Sequence, residues 1–176
     1  MARLFRSPLV SMACLSLTIV WTSPAAGQGG AAGSHVRADD ARLTNALREG
    51  VRQSPTFRDL VARLDQTSGL VHLVSSRCLT RVSEPRACLD HNIRVSGGFR
   101  FLRVNVHPSE SGVTLLALIA HELQHALEIL ADDSIMTFED VEKLYERIGT
   151  KRRSGTVETE AALCVQDVVL REARSR

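Results

Sequence analysis

Along the chain, apolar side chains recur at Leu43, Ala46, Leu47 and Val51, near the helical period, so an amphipathic helix is expected over residues 41–53. Ser54-Pro55 then offers an N-cap followed by proline at the first helical position. Phe57, Leu60, Val61 and Leu64 continue that second helix, and Thr67-Ser68-Gly69 stops it. Leu70 to Val74 is a short branched run that reads as a strand, and Asn92 to Val95 reads as another. Gly97-Gly98 marks a turn before Phe99 to Val106, where apolar and polar residues partly alternate as in a strand half covered by a core. The strongest helix is expected from Val113 to Ala131. Its first half is almost wholly apolar, which predicts burial on most sides, and Asp132-Asp133-Ser134 closes it. Thr137 and Asp140 form a variant capping box for a further helix. Val141, Leu144, Tyr145 and Ile148 make its inner stripe, and Gly149 ends it. A last helix is expected from about Val157 to Glu172. Helices mixed with a few strands predict an α+β fold, and no internal repeat is visible.

The N-terminal stretch has a different pattern. Arg3 and Arg6 precede an apolar run from Leu9 to Trp21, and Ser23-Pro24-Ala25-Ala26-Gly27 supplies small residues suited to a signal peptidase. Residues 1–27 therefore read as a signal peptide, residues 28–38 as a flexible Gly/Ala/Ser-rich lead-in, and residues 39–176 as a single domain. On this reading the mature protein is exported, to the periplasm or the medium. It keeps no stable membrane span once the leader is gone, because His121 and Glu122 interrupt the second apolar run.

Charge and aromatic content narrow the partners. The formal net charge is +2, and the two basic residues of that excess, Arg3 and Arg6, lie in the leader. A near-neutral chain whose aromatics past residue 21 are Phe57, Phe99, Phe101, Phe138 and Tyr145 has neither the electrostatic footprint nor the stacking surface of a nucleic-acid binder. Export also changes how the cysteines read. An oxidising compartment favours a bridge between Cys78 and Cys88, around the turn signal Ser83-Glu84-Pro85-Arg86. Cys164, in an apolar helical pattern, is expected to be a buried, inert thiol. Lys151-Arg152-Arg153-Ser154-Gly155 reads as an exposed, solvated basic loop.

The chemistry stands inside the strongest helix, as His121-Glu122-Leu123-Gln124-His125. Residues four apart on a helix share one face, one turn apart, so two imidazoles there can reach one metal ion. Glu122, beside the first histidine, can take a proton from a metal-bound water and pass it to a leaving amine. The flanking Leu118, Ile119, Ala120, Ala126 and Leu127 are apolar, and a helix this apolar buries two histidines and a glutamate only with a compensating partner.

The segment from Ile119 to Leu127 resembles the active-site helix of zincin metallopeptidases. The resemblance covers that helix and, more loosely, the final one. It implies a small sheet packed on the metal-binding helix, with an edge strand bordering the substrate cleft, and Phe99 to Val106 is the candidate for that strand. It also implies a Zn2+ cofactor, a peptide or protein substrate, and hydrolysis by a Glu122-activated, zinc-bound water. Glu128 and Ala131 stand where the metzincin subgroup has glycine and a third histidine, which excludes that subgroup. Gluzincins take a glutamate from a later helix, and Glu158-Thr159-Glu160-Ala161-Ala162 resembles their E-x-x-A-type third-ligand segment, matching Glu158 with Ala161. Helical spacing favours the same residue. It groups Glu158 with Ala161, Ala162, Val165 and Val169 on an apolar face, whereas Glu160 shares a more mixed face with Leu163, Cys164, Asp167 and Arg171. Ala162 departs from the aspartate that follows in some gluzincins, which removes a possible partner for a ligand histidine.

The expected site is therefore His121, His125 and Glu158 as metal ligands and Glu122 as general base. Tyr145, His72, His91 and His107 are possible oxyanion stabilisers without an assigned role. Two rival readings stand beside the peptidase: a zincin-like domain that binds zinc without proteolysis, and a disulfide-stapled, non-catalytic binding module.

Overall fold

The computed structural model describes residues 34–78, 84–152 and 156–175. The expected leader, most of the lead-in, part of the turn between the bridged cysteines and the end of the basic loop lie outside them. The described chain is mixed α+β. Strand β1 (Val36–Ala38) leads into helices α1 (Ala41–Gln53) and α2 (Pro55–Leu64), then strands β2 (Gly69–Ser75), β3 (Ala87–Ser96) and β4 (Phe99–Val106). Helices α3 (Gly112–Leu130) and α4 (Phe138–Ile148), short strands β5 (Thr150–Lys151) and β6 (Val157–Glu158), and helix α5 (Glu160–Arg174) complete it.

Local chemistry sets most of the helix boundaries. Asp40 caps α1 by accepting from the Leu43 N–H, and Ser54 caps α2 by accepting from the Phe57 N–H, with Pro55 at its first turn. Thr137 and Asp140 satisfy each other's backbone N–H in a full capping box at the start of α4. The inner face of α4 is Val141, Leu144 and Tyr145; Ile148, expected on that stripe, is 40% exposed at the helix end. Glu172 of α5 reaches across to α2, accepting from the Ser54 hydroxyl at 2.5 Å and from the Thr56 hydroxyl at 3.0 Å.

The main sheet has the order β1-β2-β4-β3. β1 is parallel to β2, β2 is parallel to β4, and β3 is antiparallel to β4. Two expectations change here. Val36–Ala38 belongs to the expected flexible lead-in, yet it pairs with Val71–Leu73 and buries Val36, because β2 offers hydrogen bonds along its edge that the small flanking residues do not foreshadow. Phe99–Val106, the expected edge strand, is interior, and the edges are β1 and β3. The tight turn at Gly97 and Gly98, both with positive φ, folds β3 back as a hairpin along the side of β4 that β2 leaves open.

Helix α3 lies at the centre of the core. Leu115, Ile119, Leu123, Ala126 and Ile129 pack with Val71, Leu73, Leu102 and Val104 of the sheet in one cluster. The approach is close: a Cβ on Gly69 would come within 2.3 Å of Leu130. By length and composition α3 could cross a membrane, but 78% of its 18-residue apolar window is buried in this fold. At its C-terminus the buried Arg100 of β4 donates to the Leu130, Asp132 and Ile135 carbonyls.

Cys78 and Cys88 form the expected disulfide, across a sequence separation of 10. Closing so short a loop contributes about 2–3 kcal/mol on the chain-entropy account. Cys88→Ser is therefore expected to lower unfolding stability by about that amount in a urea titration under non-reducing conditions. An unchanged midpoint would show that the bridge constrains nothing the folded chain does not already hold. Cys164, expected buried, is exposed, because the inner face of α5 is Ala162, Val169 and Ala173, and Cys164 points away from it.

Candidate metal centre

His121, Glu122, Gln124 and His125 are all buried in the middle of α3. The helical repeat brings the two imidazoles to one spot, with their Nε2 atoms 3.2 Å apart. Glu158 Oε2 lies 2.9 Å from His121 Nε2 and 3.4 Å from His125 Nε2. These three side chains could hold a metal ion, since their donor atoms all lie within 4.8 Å of one another.

Glu158 arrives from an unexpected element. The last helix was expected to include it, and its preference over Glu160 used a helical face. Instead Thr159 caps α5, accepting from the Ala162 N–H, and the helix begins at Glu160. Glu158 sits just before the cap on β6, paired with Thr150 of β5. The side chain reaches the two histidines from an extended backbone. Glu160 is exposed in the first turn of α5, a favourable place for an acid against the helix dipole.

Glu128, which breaks the metzincin pattern, has a definite place here. Its Oε2 lies 3.0 Å from His125 Nδ1, while its Oε1 accepts from the Thr159 hydroxyl at 2.8 Å and from the Gln124 amide at 3.3 Å. An Nδ1–H donated to a carboxylate fixes the tautomer, so the Nε2 lone pair of His125 points at His121 and Glu158. Two imidazole lone pairs cannot face each other at this range without a proton or a cation between them. Spacing alone could have flagged Glu128, one turn beyond His125. Thr159, which ties Glu128 to the start of α5, had no local signal.

In the absence of a cation, protons take its place between these groups. Burial alone would lower the His125 imidazole, but hydrogen bonds to Glu128 and Glu158 outweigh it and push it up to about 9. Burial would raise Glu158, but hydrogen bonds to His121 and His125 bring it down to about 2. Glu122 is raised chiefly by its burial, against the pull of His121, His125 and the Leu89 backbone of β3. Such a carboxyl holds a proton more readily than a solvated one.

A cleft of about 240 Å3 opens onto these groups, walled by the edge strand at Ala87, Leu89 and His91 and by Val157 of β6. The β3–β4 pairing slips between Asp90 and Arg94, and the irregularity presents His91 at the rim. His91 stacks on Tyr145 at 5.2 Å, with its Nδ1 3.2 Å from Glu142, and Tyr145 packs edge-on against His125 at 5.5 Å. Burial, chiefly, and the carboxylates of Glu128, Glu122 and Glu158 raise the Tyr145 phenol, which therefore stays protonated. Of the possible oxyanion stabilisers, His91 and Tyr145 line the cleft. His72 lies on β2 and is exposed, and His107 bonds locally to Ser109, so neither joins the group.

Glu128→Gln keeps the shape and removes the charge behind His125. It is expected to weaken metal affinity by about 10–100-fold, read by competition with a chromophoric chelator. An affinity equal to wild type would remove Glu128 from the site.

No family model, curated protein or solved structure matches the chain.

Proposed function

We propose that the protein is an exported, single-domain zinc metallopeptidase of zincin-like, gluzincin type. The observation that carries this reading is the convergence of His121, His125 and Glu158, with the buried Glu122 beside them, at the floor of an open cleft. Zinc suits the donor set: ligands at about 2.0–2.1 Å in a tetrahedron stand about 3.3 Å apart. The three separations here are 2.9, 3.2 and 3.4 Å. When bound, zinc would supply Lewis-acid polarisation of a carbonyl and lower the pKa of a water.

The chain's own residues do the rest. Glu128 holds His125 in the tautomer that leaves Nε2 free to ligate. Glu122 accepts the proton of an attacking water at its carboxylate and returns it to the leaving amine. Among the described residues no strand pairs with the outer edge of β3, and that edge can receive an extended peptide beside the metal ligands.

The test separates metal binding from chemistry. Wild type is expected to hold about one zinc per chain and to cleave an unstructured polypeptide, and Glu122→Gln is expected to keep the zinc and lose the cleavage by 10²-fold or more. A Glu122→Gln variant that cleaves as fast as wild type would falsify the assigned role. Zinc without any cleavage in the wild type would favour the non-proteolytic zinc-binding reading.

A further inference from the structure

The metal centre uses one face of the sheet, and the other face has a composition of its own. β1, β2 and β4 run parallel, and parallel strands are ordinarily covered on both faces. Here the positions that alternate with the core residues point away from the helices and are exposed or half-exposed.

The register lays them out in rows. Arg37, His72, Arg103 and Asp90 follow one another across the four strands. The next row has Leu70, Phe101 and Arg94, and Phe99 lies beyond it, opposite Ser96. Phe99 and Phe101 are 40% and 37% exposed, and His35 packs edge-on to Phe99 at 6.1 Å. Arginines therefore frame an aromatic centre, and Asp90 is the one acid in these rows.

We propose that this open face docks an acidic polypeptide segment carrying aromatic or other apolar side chains. Three features select that occupant. The face is net positive although the whole chain is nearly neutral, so charge complementarity asks for an acidic partner. Its cations are all arginine and its apolar centre is aromatic, the composition of protein-binding hot spots, which are poor in lysine. A second copy packed on the same patch would set arginine rows against arginine rows.

The experiment uses the purified protein and a fluorescent random copolymer of glutamate and tyrosine, titrated by anisotropy at low salt. Wild type is expected to bind it, with affinity falling as salt rises. Arg94→Glu with Arg103→Glu, and separately Phe99→Ser with Phe101→Ser, are each expected to weaken binding about tenfold or more. Zinc content and far-UV circular dichroism should stay at wild-type values. The arginine pair, fully on the surface, keeps the test valid if the serine pair fails to fold. The proposal is overturned if wild type does not bind the copolymer, or if the arginine pair leaves binding unchanged. It is equally overturned if oligothymidine binds more tightly than the copolymer. Self-association that the arginine variant abolishes would give the face to a second copy instead.

Discussion

Glu158→Ala is expected to leave the purified protein without stoichiometric zinc, while Glu160→Ala keeps it. Glu158 is the only carboxylate within reach of both Nε2 atoms among the described residues, at 2.9 and 3.4 Å. Removing it leaves two imidazoles, too few to hold the ion in competition with a chelator. Glu160 is exposed at the start of α5, and its loss should cost only the small helix-dipole contribution, a few tenths of a kcal/mol. Elemental analysis of wild type and of both variants, together with His121→Ala, decides the matter. Metal retained in Glu158→Ala but lost in Glu160→Ala would mean that β6 and the start of α5 are placed differently when the ion is bound. No metal in the wild type would end the hydrolase proposal.

The second large effect falls outside the site. Arg100→Met is expected to destabilise the fold by about 3–5 kcal/mol, the range for breaking a buried charge network by removing one partner. For a domain of this size that lowers the melting temperature by about 10–15 °C, read by circular dichroism. Arg100 is 1% exposed, and its guanidinium donates to the carbonyls of Leu130 at 2.8 Å, Asp132 at 2.7 Å and Ile135 at 3.2 Å. The Leu130 carbonyl belongs to the last turn of α3 and the other two to the loop that follows it, and methionine fills the space without donating to any of them. The ion pair with Asp133 matters far less, because that carboxylate is 86% exposed. Asp133→Asn should therefore shift the transition by only a degree or two. A comparable loss in both variants would move the weight from the carbonyls to the ion pair.

Arg100 also shows where local pattern stops informing. It lies on the same face of β4 as the buried Leu102 and Val104, and an arginine at such a position has no local explanation. Its partners lie about thirty residues away, at the end of α3. β1 is similar: Val36–Ala38 has no strand signal of its own and forms only because β2 presents an open parallel edge. The start of β3 was missed for the same reason, since Ala87–Asp90 is held by pairing with Arg103–Val106.

What the amino-acid order determined by itself is the part governed by short-range geometry. The caps at Ser54 and Thr137, the apolar length of α3, the loop that Cys78 and Cys88 close, and the placing of His121 and His125 on adjacent turns all follow from steric and hydrogen-bonding rules acting within about ten residues. Only the tertiary structure decided that β3 is an edge strand, that Cys164 faces outward, and that Glu158 reaches the histidines from a strand while Glu128 and Thr159 brace them from behind. Those outcomes depend on which distant segments compete for the same hydrogen bonds and the same buried volume. That competition is settled by the whole chain, and no window of it carries the answer.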